Sequence, residues 1–227
     1  MNGEKFGPAH AERWSDEAYA DPARYLAHRG ELVRSLGPPL EAGDTVLDLA
    51  CGDGGLAEFL LPKGLAYLGV DASPAMVAAA KERLGGRASI ELGEVDGFTP
   101  AAPVAATTLF RALYYARDRE AFFRRVAGFT EKKLVFDLNP RQYSLRLVRS
   151  ELAAAGWTWV EARPFFVPQT VALPASLQRV LLAAERIRPL AAVLLRFRFT
   201  YLCAASRPEA SDREARSGRA SARPGTR

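Results

Sequence analysis

The chain has 227 residues, of which 48% are hydrophobic and 25% are charged. That size favours a single globular domain, and the composition excludes a disordered, collagen-like or coiled-coil protein. The 31 basic and 26 acidic side chains give a formal net charge of +5, which by itself favours a nucleic-acid partner. Much of that charge lies in residues 206–227, where six arginines and three acids give a net +3. The first 205 residues carry only +2, so we do not expect a nucleic-acid partner.

The two cysteines and two histidines limit the metal and redox chemistry that the chain can support. Cys51 and Cys203 are far apart and neither belongs to a C-x-x-C pair, so neither a disulfide framework nor a zinc site is indicated. We expect no metal bound by histidines. The first residues contain no apolar signal-peptide core, and no apolar stretch approaches the ~20 residues of a membrane span. A cytoplasmic protein is the expectation.

Capping and breaking residues divide the chain into alternating helices and strands. Asp21 and Pro22 begin an amphipathic helix that ends before Gly37, and Ser73 begins another that ends at Gly85. Short apolar runs between such helices are typical of strands. The predicted elements are a helix over 22–36, a strand over 45–50, a short helix over 56–61, a strand over 66–70, a helix over 74–84, strands over 88–92 and 104–110, a helix over 119–128, a strand over 133–138, a helix over 142–155, and strands over 157–167 and 197–204 on either side of a Leu-rich helix.

This alternation predicts the class of fold. Strands of five or six residues between helices predict a parallel sheet that is covered on both faces. The right-handed crossover rule then favours a doubly wound α/β fold, a three-layer α/β/α sandwich. Ligands of such sheets bind beyond the carboxyl ends of the strands. The low-complexity residues 206–227 are expected to form a disordered basic tail.

The end of the first predicted strand carries the clearest functional pattern. Gly52, Gly54 and Gly55 follow that strand, and glycines let the backbone turn tightly and pass close to a bound molecule. The second strand ends in Asp71, 19 residues after Gly52, where a carboxylate can accept hydrogen bonds from both hydroxyls of a ribose. Together these features indicate a nucleoside ligand.

Two nucleoside cofactors compete for this pattern. Residues 52–57 match the G-x-G-x-x-A form of the NAD fingerprint, with Asp71 as its acid. Asp48 precedes the glycines by four positions, and its carboxylate would repel a pyrophosphate. The same carboxylate would attract the ammonium and sulfonium groups of S-adenosylmethionine. This cofactor is therefore favoured, and an NAD-dependent oxidoreductase is the alternative.

The segments VLDLACGDGG and YLGVDASPAMVAAAKERL resemble the first two motifs of the class I S-adenosylmethionine-dependent methyltransferases. The resemblance extends from about Tyr19 to Cys203, is specific over residues 44–98, and shows Ala50 where the E/D-x-G-x-G-x-G motif usually has its first glycine. It implies a Rossmann-like, seven-stranded sheet whose last strand is antiparallel. The implied domains are a helical cap over the cofactor at residues 1–43, a methyltransferase domain at residues 44–205, and the tail.

The resemblance also implies a set of cofactor-binding residues. Asp48 and the backbone from Ala50 through Gly52 to Gly54 would hold the methionine part, and Asp71 would bind the ribose. Glu94 stands where the family usually has an aspartate that accepts from the adenine amino group, which leaves Glu94 and Asp96 as alternatives there. The other implied contacts are Tyr25 and Arg29 from the helix over the cofactor, Ala72 and Met76 beside the adenine, Val95, and Arg111 beside the methionine carboxylate.

The resemblance implies methyl transfer by in-line displacement, and the acceptor is less constrained than the cofactor. Tyr114 and Tyr115 would face it, and Tyr115 and His28 are the candidate general bases. We expect a small-molecule acceptor, because 227 residues leave no room for a separate recognition domain. The remaining alternative is a catalytically inactive methyltransferase-like binding protein. Residues 177–199 contain five arginines among Leu, Val and Ile, and they either cover the sheet or the acceptor site, or contact an anionic membrane surface.

Overall fold

The computed structural model of the chain describes residue 11, residues 13–187, 189–190 and 193, and residues 200–207. Residues 208–227, which make up most of the predicted tail, lie outside this part. So does most of 188–199, the second half of the predicted basic and apolar segment. Within the described part, strands and helices alternate in the predicted order.

Seven strands form one sheet in the described part of the chain, and their order across the sheet is β3-β2-β1-β4-β5-β7-β6. Strand β7 is antiparallel to both of its neighbours, and the other pairs are parallel. The predicted doubly wound sheet with an antiparallel last strand is therefore confirmed. The strands are β1 (Thr45–Leu49), β2 (Ala66–Asp71), β3 (Ser89–Leu92), β4 (Val104–Leu109), β5 (Thr130–Leu138), β6 (Trp159–Phe165) and β7 (Thr200–Ser206).

Helices cover both faces of the sheet. One face packs against α2 and α4 through side chains such as Val33 and Leu84, and the other packs against α5 and α6 through Phe123 and Leu152. Among the residues that the structure describes, no helix has the length and hydropathy of a membrane span. The helices are α1 (Trp14–Ala18), α2 (Pro22–Ser35), α3 (Ala57–Leu60), α4 (Pro74–Leu84), α5 (Arg119–Phe129), α6 (Leu145–Ala154) and α7 (Ala175–Ala184).

Local capping explains why the helix starts were predictable. The side chains of Asp21, Ser73 and Asp118 each accept a hydrogen bond from a backbone N–H in the first turn of α2, α4 and α5. At the other end of α4, Gly85 adopts a left-handed φ of 53°, which a glycine tolerates. Each of these contacts joins residues three or four positions apart, so a short stretch of sequence is enough to predict it.

Some element boundaries differ from the sequence prediction, and one helix was not predicted. Helix α6 begins at Leu145 and not at 142, because Asn139 closes a turn by accepting the N–H groups of Gln142 and Tyr143 through its carbonyl at 3.0 Å each. Strand β5 begins at Thr130 and not at 133, where the Thr130 hydroxyl lies 2.6 Å from that of Thr107 on β4. Helix α1 was not predicted at all. It is only five residues long and depends on a distant contact.

Candidate functional site

A cavity of about 390 Å³ opens at the carboxyl ends of β1, β2 and β4, where the strand order reverses. Its volume falls within the range of roughly 300–1,000 Å³ that is usual for small-molecule sites. Tyr25 and Gly54 are the two predicted cofactor residues that do not line it. The predicted cofactor residues that line it are Arg29, Asp48, Ala50, Gly52, Asp71, Ala72, Met76, Glu94, Val95 and Arg111.

The turn between β1 and α3 forms the floor of the cavity. Ala50, Gly52 and Gly54 all have left-handed φ values, of 58°, 59° and 73°. A glycine adopts this conformation without steric cost, whereas Ala50 is strained by its Cβ. A Cβ on Gly54 would lie 3.0 Å from the Leu84 side chain, so this glycine serves the packing of the turn against α4 and does not face the cavity.

Asp71 joins this turn to the next strand. Its two carboxylate oxygens accept the N–H groups of Gly52 and Ser73, each at 2.9 Å. Burial raises the pKa of Asp71, and these N–H donors oppose that rise. A carboxylate can accept about four hydrogen bonds, so each oxygen retains a lone pair for a ligand. The half-buried side chain of Asp71 can therefore accept two hydroxyl donors from the cavity.

Asp48 lies deeper in the wall of the cavity and is almost completely buried. The hydroxyls of Tyr67 and Thr108 donate to its opposite oxygens, each at 2.6 Å. Thr108 lies directly beside Asp48 in the register of β1 and β4, and Gly69 on the other side leaves room for the Tyr67 ring. Burial raises the pKa of Asp48 to about 6 in spite of both donors. A cation that entered the cavity would therefore stabilise this carboxylate.

The loop after β3 borders the cavity on the side of Met76 and Ala72. The guanidinium of Arg125 donates to the backbone carbonyls of Val95 and Phe98 and holds this loop in place. Glu94 is exposed at the cavity edge. Asp96 also lines the cavity, and one of its carboxylate oxygens accepts the N–H of Arg117 at 3.3 Å. Both acids border the cavity, and either one as the adenine contact stays a prediction.

Two arginines meet at the opposite side of the cavity. The N–H of Arg111 donates to Asp137 at 2.7 Å, and the Arg29 guanidinium lies 3.8 Å from the same carboxylate. Arg29 also donates to the Tyr25 hydroxyl at 2.9 Å, so Tyr25 positions Arg29 from outside the cavity. Among the described residues, Nε of Arg29 and Nη1 of Arg111 are buried without a hydrogen-bond partner. Two such donors beside a cavity favour an anionic group there.

The sequence prediction placed a helical cap at residues 1–43 but did not identify the contacts that hold Trp14 and Ser15 at the cavity. Asp53 accepts the N–H of Ser15 at 3.1 Å and its hydroxyl at 2.7 Å, and it forms an ion pair with Arg83 at 2.8 Å. These contacts hold α1 and its Trp14 over the cavity. Ser15 and Asp53 are 38 residues apart, so no local pattern indicates the contact. Asp137 was detectable in principle, because it lies next to the last residue of β5, close to the position that Asp71 has in β2.

The two candidate bases have different surroundings. Nε2 of His28 lies 2.9 Å from a carboxylate oxygen of Glu185, and its ring stacks on Phe165 at 5.1 Å. His28 does not line the cavity. Tyr115 does, and its ring centroid lies 4.3 Å from that of Tyr114. The geometry thus places only Tyr115 within reach of a ligand, and the role of either residue as a base stays a prediction.

Residues 46–133 match the methyltransferase domain family. A curated relative, the trans-aconitate 2-methyltransferase of Methylobacterium nodulans, is 38% identical over 90 residues. That match covers 37% of this chain and 34% of the relative, so the two proteins correspond over about a third of their lengths. The matched family segment contains β1 to β4 and the floor of the cavity.

Solved structures agree over a larger part of the chain. A Haloferax volcanii methyltransferase, in complex with the Trm112 methyltransferase activator, has a TM-score of 0.61 at 19% identity over 89% of this chain and 97% of its own. Magnesium protoporphyrin IX methyltransferase from Synechocystis PCC 6803, with bound S-adenosylmethionine, has a TM-score of 0.54 at 15% identity over 88% of this chain and 81% of its own. At these identities the likeness supports the fold alone.

Proposed function

We propose that this chain is a class I S-adenosylmethionine-dependent methyltransferase that transfers a methyl group to a small-molecule acceptor. The methyltransferase domain match over residues 46–133 and the Rossmann-like fold support this proposal. The observation that carries this proposal is the position of two aspartates around one strained turn. Asp48 and Asp71 both line the cavity, on either side of the left-handed residues Ala50 and Gly52.

The chemistry of the cavity fits the cofactor part by part. Asp71 would accept the two ribose hydroxyls through the lone pairs that Gly52 and Ser73 leave free. Ala72 and Met76 would pack beside the adenine, and either Glu94 or Asp96 would accept its amino group. The Arg125 contacts keep the loop that carries both acids in position. Each of these assignments is a proposal that cofactor binding by single variants can test.

The charged side chains of the cavity also fit the methionine part of the cofactor. Asp48 is a buried anion with a raised pKa, and it would attract the ammonium and sulfonium groups. Arg29 and Arg111 have buried donors without partners among the described residues, and they would bind the carboxylate. An NAD pyrophosphate would meet the Asp48 carboxylate instead, which opposes the oxidoreductase alternative.

The cofactor supplies a methyl group that is already activated for displacement, so the protein must mainly align the acceptor with it. Alignment alone can contribute ~7–11 kcal/mol to the lowering of a barrier. Trp14 and Ser15 of α1 would exclude water, because the Asp53 contacts hold them over the cavity. Tyr115 could then remove a proton from an acceptor hydroxyl or amine.

We propose that the acceptor is a small molecule that binds between the cofactor and the edge of the cavity. The curated relative is named for trans-aconitate, a small carboxylic acid, and a structural neighbour is named for a porphyrin. At the edge of this cavity lie Tyr114, Tyr115 and Arg117. Their side chains could contact a planar or anionic molecule, which supports an acceptor of that chemistry.

A thermal-shift titration tests the cofactor assignment. S-adenosylhomocysteine at about 100 times its dissociation constant should stabilise the purified chain by ~2.7 kcal/mol, whereas NAD should leave the melting temperature unchanged. The matched control is Asp71→Ala, which should abolish most of the shift. A shift with NAD and none with S-adenosylhomocysteine would overturn the proposal. Methylation of any acceptor by the purified chain would eliminate the inactive-binder alternative.

A further inference from the structure

Helix α7 contacts the rest of the protein through two polar side chains as well as through Leu182 and Ala184. Gln178 and Glu185 are buried, and each forms a hydrogen bond to α2. Arg24 donates to Oε1 of Gln178 at 2.7 Å, and Oε2 of Glu185 lies 2.9 Å from Nε2 of His28. The other oxygen of Glu185 accepts the N–H of Phe166 at 2.6 Å. Because these contacts are buried and specific, they fix the rotation of α7 about its axis.

Three large apolar side chains of the same segment are exposed. Leu177 and Val180 on α7 are 46% and 63% exposed, and Ile187 just beyond its end is 51% exposed. At 100° per residue Val180 lies on the side of the helix away from Gln178, and Leu177 lies on the flank between the two sides. A surface helix normally buries its apolar stripe and exposes its polar face. Here Leu182 is packed against the core, but the three large aliphatic side chains are left exposed, which indicates an interaction surface.

The exposed charged side chains among the described residues 171–187 are both arginines. Residues 171–200 contain five arginines and a single acid, Glu185, which is buried and paired. Arg179 and Arg186 are exposed beside the apolar residues. The α7 surface, defined here as Leu177, Arg179, Val180, Arg186 and Ile187, therefore combines apolar side chains with cations and exposes no acid.

We propose that the α7 surface docks on an anionic lipid membrane, with its aliphatic side chains among the acyl chains and its arginines at the lipid headgroups. Charge complementarity distinguishes this occupant from a second copy of the chain. A symmetric dimer would bring the same patch of both copies together and set arginines against arginines. Docking of this kind does not depend on the activity of the cavity, because none of the five residues lines it.

Vesicle sedimentation with the full chain tests the proposal. The probes are vesicles of phosphatidylcholine with about a third phosphatidylserine, and vesicles of phosphatidylcholine alone. The chain should sediment with the anionic vesicles and stay in the supernatant with the neutral ones. Replacement of Arg179 and Arg186 by alanine should lower the partition coefficient roughly 25-fold, about fivefold for each arginine.

Apolar variants separate insertion from charge attraction. The triple variant Leu177→Ser, Val180→Ser and Ile187→Ser should lower partitioning at least ~10-fold. The matched control is Leu147→Ser on α6, which is 51% exposed and should leave partitioning within about twofold of the native chain. The melting temperatures of all variants, with and without S-adenosylhomocysteine, should equal that of the native chain.

Three results would overturn the proposal. The native chain could fail to sediment with anionic vesicles, or Leu147→Ser could reduce sedimentation as much as the triple variant does. The chain could also form a dimer in vesicle-free solution that the triple variant abolishes, as measured by light scattering. That last result would identify a second copy as the occupant of the α7 surface.

Discussion

Asp48→Asn should stabilise the cofactor-free protein and weaken cofactor binding at the same time. The carboxylate of Asp48 is buried in the cavity wall, and burial raises its pKa from 3.8 to about 6. At pH 7 the protein therefore folds with an anion that its surroundings disfavour. An asparagine keeps the size and one acceptor for Tyr67 or Thr108, and it removes the charge.

The magnitude follows from the shift of the pKa. Between pH 3.8 and about 6 the folded protein binds more protons at Asp48 than the unfolded chain does, so stability is lost as the pH rises through this window. A shift of about two units corresponds to ~3 kcal/mol. The difference in unfolding free energy, Asp48→Asn minus native, should therefore rise by ~3 kcal/mol between pH 4 and pH 7.

Urea unfolding of both proteins at several pH values between 4 and 7 measures this difference. Other titrating groups are common to both proteins and cancel in the subtraction. Asp53→Asn is the contrasting variant, and it should lower stability at pH 7 because Asp53 holds Ser15 and Arg83. A difference for Asp48→Asn that does not change with pH would refute the reasoning. So would unchanged affinity for S-adenosylmethionine.

Three further predictions concern single positions. Asp71→Ala should weaken S-adenosylhomocysteine binding at least ~10-fold in calorimetry, and an unchanged affinity would contradict the ribose assignment. Ala50→Gly should raise the melting temperature or leave it unchanged, because it relieves the left-handed strain, whereas Ala183→Gly on exposed α7 should destabilise by ~1 kcal/mol. Burial lowers the pKa of Lys133 from 10.5 to about 7, so between pH 7 and 9 the unfolded chain binds more protons at this residue than the folded protein does. The unfolding free energy should therefore rise between pH 7 and 9, and Lys133→Met should abolish that rise.

The floor of the cavity was predictable from the sequence because its determinants are local. The turn after β1 contains its glycines within four positions, and Asp71 ends the next strand. Ala50 also shows why the family motif usually has a glycine there, since its φ is 58°. The predicted fold class is therefore confirmed by the seven-stranded sheet, and the resemblance to methyltransferases agrees with the domain match over residues 46–133.

The rest of the site depends on contacts between distant parts of the chain. Asp53 appears in the motif as an unspecified position, and its role emerges only when Ser15 folds onto it. Likewise, the order β5-β7-β6 is set by strand pairing between elements that are far apart in sequence. The exposed aliphatic side chains of α7 were not predictable from amphipathic patterning, because the long-range hydrogen bonds of Gln178 and Glu185 help to set which side of the helix is packed. The cytoplasmic location and the disordered tail stay predictions.

Transfer of a labelled methyl group tests the central claim most directly. The purified chain would be incubated with methyl-labelled S-adenosylmethionine and a small-molecule extract of cells, and the products would be separated by mass spectrometry. We predict a labelled small molecule with the native chain and its loss with Asp71→Ala. Label that never leaves the cofactor, or that appears only in protein or nucleic acid, would contradict a small-molecule methyltransferase.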